Sequence, residues 1–389
     1  MSKKRIAILG SSGTIGINTL KVCRHLSNEL EVVGLAVCSN ITRLAEQVRE
    51  FNPRIVSIMN PGLTDDFRQL LEEPSSTKLE VTTGLDGLIK LASHPEVDIV
   101  VVATVGSVGL LPTLEAIGAH KTIALANKEV LVMAGELVMK KARENKVSIL
   151  PIDSEHNAIF QCLMDKSPHD VKKILLTASG GPFRNNHDSF EQITPEQALK
   201  HPTWNMGRKI SIDSATMMNK GFELIECTHL FDVPPEKVET VIHPQSIVHS
   251  MVEFIDGTIL AQMGITDMFL PIQFSLTYPT RMKTPFPSLD LTRVGQLTFE
   301  KPDLDRFPCL RLGYESIKIG GTLPTVMNAA NEIAVQSFLD RKIRFTQLPR
   351  LIEMTMKRHD VIHHPTLDEL LKSDQWTRDI ANQIIEQEF

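Results

Sequence analysis

Residues 5–16 read RIAILGSSGTIG, a short apolar run closed by glycines at positions 10, 13 and 16. The run is too short for a helix core, and INTLKVCRHL at 17–26 spaces its apolar residues for a helix, so the opening reads strand, glycine turn, helix. A second strand, EVVGLAVC (31–38), follows at once. Further β-branched runs, RIVSIM, VDIVVVAT and KTIALA, alternate with helix-like segments such as NITRLAEQVREF (40–51) and LLPTLEAIGAH (110–120). This alternation predicts an α/β fold whose first domain, residues 1–150, is a Rossmann-like, doubly wound parallel sheet.

The glycine turn suits a phosphate. Backbone must approach a pyrophosphate closely, and a helix N-terminus supplies N–H groups and partial positive charge. Gly10, Gly13 and Gly16, with Ser11, Ser12, Thr14 and Ile15 between them, give the spacing GxxGxxG, a variant of the dinucleotide fingerprint. The alternative is a turn kept for packing only. An NAD site would place an acid at the end of the second strand. That end reads VCSNITR, where Ser39, Asn40 and Arg43 accommodate a 2′-phosphate and favour NADP, unless they serve only as a helix cap and its first turn.

The chain has 389 residues, long enough for two or three domains, and is 42% hydrophobic and 23% charged, within the soluble range. A formal charge of −6 gives no general basic field for nucleic acid. Cys23, Cys38, Cys162, Cys227 and Cys309 show no CxxC spacing, which suits reduced cytosolic thiols rather than disulfides or zinc. The apolar stretch at the N-terminus is too short for a signal or membrane span, so a cytoplasmic setting without membrane attachment is expected.

From residue 172 the pattern changes. KKILLTASGGPF, the helix-like ATMMNKGFELIECTHLF, and VETVIHPQSIVHSMVEFIDGTILAQMG with its Asp-Gly turn predict a central α+β domain, 151–285, containing antiparallel strands. The proline-rich YPTRMKTPFPSLDLT leads into a linker, 286–311. Three helical patterns, beginning TLPTV, FTQLP and TLDEL, predict a C-terminal helical domain, 312–389, the last with a capping box from Thr366 to Glu369.

Chemistry gathers in the central region. In ILPIDSEHNAIFQC (149–162), Asp153 and Glu155 are two apart, so an extended segment projects both from one face, where they repel unless a proton or cation intervenes. A third oxygen ligand is sought in DSATMMNKGFELIE (213–226). A helix capped there by Asp213 or Ser214 puts Asn219, Lys220 and Glu223 on one face. Carboxylates alone select a hard ion, Mg²⁺ or Mn²⁺, over zinc. Two alternatives stay open: Glu223 simply pairs with Lys220 on a solvated face, or Glu226, one turn on, is the ligand. TASGGPF suggests an anion pocket built from Ser179 and the N–H groups of Gly180 and Gly181, completed by Ser214, Asn219 and Lys220. TPEQALKHPTWNMGRK (194–209) offers a capped helix and then a loop bearing His201, Trp204 and Met206, with the tryptophan read as a packing anchor ahead of a lid. His249 reads as a satisfied strand histidine.

In order and over nearly the whole chain, GSSGTIG, ALANKEVLVMAG, PIDSEHNAIFQ, TASGGPF, HPTWNMGRKISIDSATMMNKGFELIE and IHPQSIVHSMV resemble the 1-deoxy-D-xylulose 5-phosphate reductoisomerase family. The resemblance implies an enzyme of non-mevalonate isoprenoid precursor biosynthesis that rearranges its sugar phosphate and reduces it with NADPH to 2-C-methyl-D-erythritol 4-phosphate. It implies a homodimer of V-shaped subunits and a Mg²⁺ or Mn²⁺ ion, with Co²⁺ a third candidate. On the matching residues it implies Asp153, Glu155 and Glu223 as metal ligands, and Lys128 and Ser154 as contacts to substrate hydroxyls. Ser179, Ser214, Asn219 and Lys220 would hold the phosphate, with His201, Trp204 and Met206 on a mobile lid and His249 in the substrate pocket. Glu155 and Lys128 are candidates for proton transfer. Asn40 matches the cofactor site, Asn127, Glu129 and Gly207 are expected to join it, and Ser39 stands where some members carry a basic residue. Another NADP-dependent sugar-phosphate or semialdehyde dehydrogenase, or a nucleotide sensor, would share the glycine turn but leave the acids without a purpose.

Overall fold

Apolar runs hydrophobic at every position belong in a sheet covered on both faces. In the computed structural model, which describes residues 3–71, 79–185, 189–204 and 206–389, the first such run is strand β1 (Lys4–Leu9), its last four residues buried. Six more parallel strands join it: β2 (Leu30–Val37), β3 (Ile55–Ile58), β4 (Glu80–Thr83), β5 (Ile99–Val102), β6 (Thr122–Leu125) and β7 (Ile149–Pro151). Their order is β4-β3-β2-β1-β5-β6-β7, so the chain winds outward from β1 to β4 and then restarts on the other side at β5. The carboxyl ends of β1 and β5 therefore flank the switch point where such sheets bind ligands. The expected doubly wound α/β sheet is the fold found.

This sheet belongs to one of two compact units, made of Met1–Val130, Val138–Asn157 and Asp267–Pro287. The late return is anchored by helix Phe269–Thr277, whose Phe269, Ile272 and Leu276 join Leu20 and Val22 in one core. Ser275 Oγ and Asn157 Nδ2 both donate to the Pro151 carbonyl, at 2.7 and 2.9 Å, tying the helix to the end of β7.

The second unit comprises Leu131–Leu137, Ala158–Thr266 and Ser288–Phe389. Its sheet has the order β11-β10-β8-β9, formed by β8 (Val171–Ala178), β9 (Val238–Ile242), β10 (Val248–Phe254) and β11 (Ile259–Met263). β10 and β11 make the expected antiparallel hairpin, with Gly257 at φ +84° in its turn. β8 and β9 pair in parallel, a departure from the antiparallel expectation. The reason is the connection: helices Arg208–Thr216 and Met218–Phe231 lie between them, and a crossover of that length returns the chain in the same direction.

Helices Pro308–Ile319, Leu323–Leu339, Gln347–Lys357 and Leu367–Glu388 complete this unit around Leu310, Phe338, Leu351 and Ile384. The first begins inside the stretch expected as linker, with its proline in the opening turn, where no N–H partner is needed. The capping box at Thr366 and Glu369 forms as expected. Among the described residues no helix is long and apolar enough to cross a membrane.

Helices Met218–Phe231 and Pro308–Ile319 meet at two glycines: a Cβ on Gly313 would stand 2.6 Å from the Gly221 Cα. Gly313→Ala must push these backbones apart, an overpacking that costs about 1–3 kcal/mol. A fall of several degrees in the thermal midpoint is expected, and an unchanged midpoint would contradict the contact.

Candidate active site

Beyond β1 the chain turns at Gly10, whose φ of +92° is left-handed. A Cβ there would lie 2.5 Å from the Ala103 carbonyl at the end of β5, and one on Gly16 would lie 2.3 Å from the Gly10 carbonyl. Helix Thr14–His25 is thereby seated directly on the turn. Its N-cap, Gly13, offers no side chain to the first-turn N–H groups, and no acid stands in that turn. Free N–H groups at a bare helix end fit a pyrophosphate. Ser11 instead braces the turn from behind, its hydroxyl donating to Gln47 Oε1 at 2.7 Å and its carbonyl accepting from Gln47 Nε2 at 2.9 Å. Ser12 and Ile15 are half-buried and Thr14 is exposed.

Ser39 and Asn40 are exposed beyond the end of β2. Asn40 also caps helix Ile41–Phe51 by accepting from the Arg43 N–H at 3.1 Å, so the cap reading is correct for it as a structural role. After β6, Asn127 Nδ2 donates to Thr104 Oγ1 at 2.9 Å and to the Gly106 carbonyl at 3.0 Å. Its Oδ1 is buried and finds no donor among the described residues, which leaves an acceptor for a ligand. Glu129 is buried in the first turn of helix Glu129–Asn145.

The acids are arranged by a turn. β7 ends at Pro151 and helix Ser154–Leu163 begins almost at once, with the Asp153 carbonyl accepting from Asn157 N–H at 2.8 Å. Asp153 is thus at the helix cap and Glu155 in its first turn, so the two do not share one face of an extended segment as the spacing suggested. The turn still keeps an oxygen of Asp153 and one of Glu155 within 4.8 Å. Ser154 donates to Glu155. Lys128 Nζ lies 2.5 Å from Asp153 Oδ2, with side-chain exposures of 7% and 13%, and His156 Nδ1 lies 3.6 Å from the same oxygen. Burial alone would raise the Asp153 carboxyl; the Lys128 charge, with the His156 ring close by, outweighs it and holds the group well below the usual carboxylate range. His156 is a member of the cluster that the sequence did not single out, although its spacing three residues after Asp153 is visible there.

In the second unit β8 runs into Ser179, then Gly180 and Gly181 at φ +87° and +70°. A Cβ on Gly181 would lie 2.6 Å from the Ser214 carbonyl, so this turn and helix Arg208–Thr216 are in close contact. Ser179 Oγ is 3.0 Å from His201 Nε2. His201 Nδ1 accepts from the N–H groups of Thr203 and Trp204, at 3.2 and 3.0 Å, which assigns the ring proton to Nε2 and makes the imidazole the donor to Ser179. Burial pushes His201 down to about 4, so it is neutral at pH 7. Trp204 and Met206 are half-buried, and exposed Gly207 is the N-cap of the helix that follows.

The expected single helix around Asn219 is two. Met217, at φ +64°, separates Arg208–Thr216 from Met218–Phe231, and Thr216 Oγ1 takes the Met218 N–H at 3.3 Å. Asp213 and Ser214 are therefore inside the first helix and cap nothing. Asn219 Nδ2 donates to Glu223 Oε1 at 2.5 Å, and Lys220 pairs with Glu223, so these three do share a face. Lys220 and Glu223 are 4% and 1% exposed, which removes the solvated-face alternative. Glu226 is also buried. His249, on β10, is 8% exposed, with Nε2 3.3 Å from the Ile265 carbonyl.

Three comparisons with known proteins bear on this geometry. The family model for 1-deoxy-D-xylulose 5-phosphate reductoisomerase matches residues 6–135, and models for that family's C-terminal domains match 149–231 and 263–380. Among curated relatives, the 1-deoxy-D-xylulose 5-phosphate reductoisomerase of Pelodictyon phaeoclathratiforme is 51% identical over 98% of this chain and all of its own length. That of Ruminiclostridium cellulolyticum is 49% identical over 98% of this chain and 99% of its own. Among solved structures, the Zymomonas mobilis reductoisomerase in complex with NADPH superposes with a TM-score of 0.91 at 43% identity, covering 99% of this chain and all of its own. A DOX-P reductoisomerase in complex with NADPH, fosmidomycin and magnesium gives 0.91 at 40% identity, covering 98% of each chain. The chain belongs to the 1-deoxy-D-xylulose 5-phosphate reductoisomerase family.

Proposed function

We propose that this protein converts 1-deoxy-D-xylulose 5-phosphate to 2-C-methyl-D-erythritol 4-phosphate with NADPH and a divalent metal, a step of non-mevalonate isoprenoid precursor biosynthesis. The observation that carries the reading is the buried Lys128–Asp153 pair beside Glu155, in a chain aligned end to end with reductoisomerases. A semialdehyde dehydrogenase needs no such set of carboxylates.

In this reading the bare turn at Gly10, Gly13 and Gly16 takes the NADPH pyrophosphate, Ser39 and Asn40 face its 2′-phosphate, and Asn127 Oδ1 accepts from the cofactor; Ser12, Thr14, Ile15, Glu129 and Gly207 complete the contacts. Asp153, Glu155 and Glu223 hold Mg²⁺, Mn²⁺ or Co²⁺, a donor set of hard carboxylate oxygens that suits such ions. When bound, the ion supplies Lewis-acid stabilisation of charge developing on substrate oxygens, worth several kcal/mol. Lys128 and Ser154 orient the substrate hydroxyls. Glu155 and Lys128 are placed to move protons during carbon–carbon cleavage and rejoining. Ser179, Ser214, Asn219 and Lys220 grip the phosphate, His249 lines the pocket, and the segment with His201, Trp204 and Met206 closes over it. Grip on a remote phosphate supplies binding energy for closure and alignment. Functionally we divide the chain into a nucleotide part that takes in the Asp267–Pro287 return, a catalytic part, and a C-terminal helical part that begins with the helix at Pro308, and we place it in the cytoplasm as a homodimer.

Two outcomes follow. Glu223→Gln keeps the fold and NADPH affinity but lowers turnover at limiting metal by about two orders of magnitude or more; unchanged turnover there would remove Glu223 from the metal set. His201 titrates at about 4 in the free protein because burial disfavours its charge. A phosphate beside its Nε2–H stabilises that charge, so the imidazole midpoint, followed by NMR, must rise on binding. A midpoint unmoved by bound substrate would place His201 away from the phosphate.

A further inference from the structure

Helix Arg208–Thr216 leaves the segment bearing His201, Trp204 and Met206 at Gly207 and carries Ser214. The residue before Ser214, Asp213, is 2% exposed. A carboxylate so far from water is costly unless its oxygens find donors. Oδ2 takes Lys209 Nζ at 2.8 Å, from one turn earlier on the same helix. Oδ1 takes Asn331 Nδ2 at 2.8 Å, from a residue 118 positions away that is 1% exposed in the middle of helix Leu323–Leu339. The Lys209 ammonium also lies 4.9 Å from the centroid of the Phe222 ring, and Phe222 precedes Glu223 on helix Met218–Phe231. Three polar side chains and one ring thus tie three helices together.

The geometry gives this network a role beyond cohesion. Successive helix side chains point about 100° apart, so fixing Asp213 fixes the direction of Ser214. Between 211 and 220 only Ser214 and Asn219 are half-buried, the rest being buried, so the helix presents Ser214 on its open side. There is little play in the placement, because the Ser214 carbonyl already abuts Gly181. A rotation that relaxed Asp213 would swing the Ser214 hydroxyl relative to Ser179 and shift the Gly207 end of the closing segment.

We propose that Asn331, acting through Asp213 and Lys209, is a positioning residue for substrate-phosphate recognition: the C-terminal helical region sets the rotation of the helix that presents Ser214. The proposal rests on the reductoisomerase reading above. An amide at 331 satisfies the buried Asp213 oxygen in one direction only, which a greasy side chain packing equally well would not.

The test is steady-state kinetics of the full-length enzyme. Asn331→Leu keeps the branching and heavy-atom count of the side chain and removes the donor. The kcat/KM for 1-deoxy-D-xylulose 5-phosphate is expected to fall between about 10- and 100-fold, the scale of a small misplacement remote from the chemistry, with the KM for that substrate raised and kcat lowered together because the phosphate grip also drives closure, while the KM for NADPH changes little. Asn331→Asp keeps the shape of the side chain, sets an acceptor instead of a donor against the Asp213 carboxylate, and should impair the same substrate step at least as far. Should the leucine variant not fold, Asn331→Ser shortens the donor and predicts a smaller change in the same direction. A lowered thermal midpoint with an unaltered substrate KM in both the leucine and the aspartate variants would overturn the positioning role. A wild-type enzyme without substrate-dependent NADPH oxidation would overturn the functional reading itself, and this proposal with it.

Discussion

A carboxylate removed from water is costly unless donors or a cation meet it, and three acids matched by lysines organise the polar interior of both units. In the first unit Asp153 is matched by Lys128, with His156 on the same oxygen. In the second, Glu223 is matched by Lys220 and Asp213 by Lys209. Each pairing is local to a helix or a neighbouring strand end, so each acid has its direction set before any ligand arrives. Lysine suits this work because its ammonium is a compact charge on a flexible stem that can change partners. In the proposed reaction Lys128 and Lys220 would serve substrate oxygens and phosphate, with Asp153, Glu155 and Glu223 the residues that would hold the ion, whereas Lys209 and Asp213 remain a fixed part of the frame.

Close backbone approach is the second organising theme. Gly10 and Gly16 bring a helix end onto the loop after β1, Gly181 brings the Ser179 turn against Ser214, and Gly221 with Gly313 lets two helices touch. At each place a single Cβ would displace a group whose position the proposed chemistry uses or whose packing supports it. The glycines are therefore more informative about function than their number alone suggests.

Local signals made much of the fold legible. The glycine turn between an apolar run and a helical pattern, the Asp-Gly hairpin and the capping box at Thr366 each have a mechanism confined to a few residues, and each formed as read. Long-range choices were not legible. Nothing local in FLPIQFSLT says that it packs with Leu20 and Val22 rather than with its sequence neighbours. The break at Met217 is a left-handed residue that is not glycine, so composition gives no warning. The candidate acids were found by spacing, but by the wrong geometry, since a turn rather than a strand brings Asp153 and Glu155 together. Roles at Lys128, His201 and His249 came from the resemblance, because a lone lysine or histidine carries no local pattern. Asn331 was silent for the same reason, its partner lying 118 residues away.

The central claim is that paired acids, a glycine cradle for NADPH and a phosphate grip together make a metal-dependent reductoisomerase. The most direct test is the decay of NADPH absorbance with 1-deoxy-D-xylulose 5-phosphate, first with Mg²⁺ or Mn²⁺, then after a chelator, then after the metal is restored. Decay that needs both substrate and metal, stops with the chelator and returns with the ion is the predicted result. NADPH binding without decay, or decay indifferent to the chelator, would contradict it.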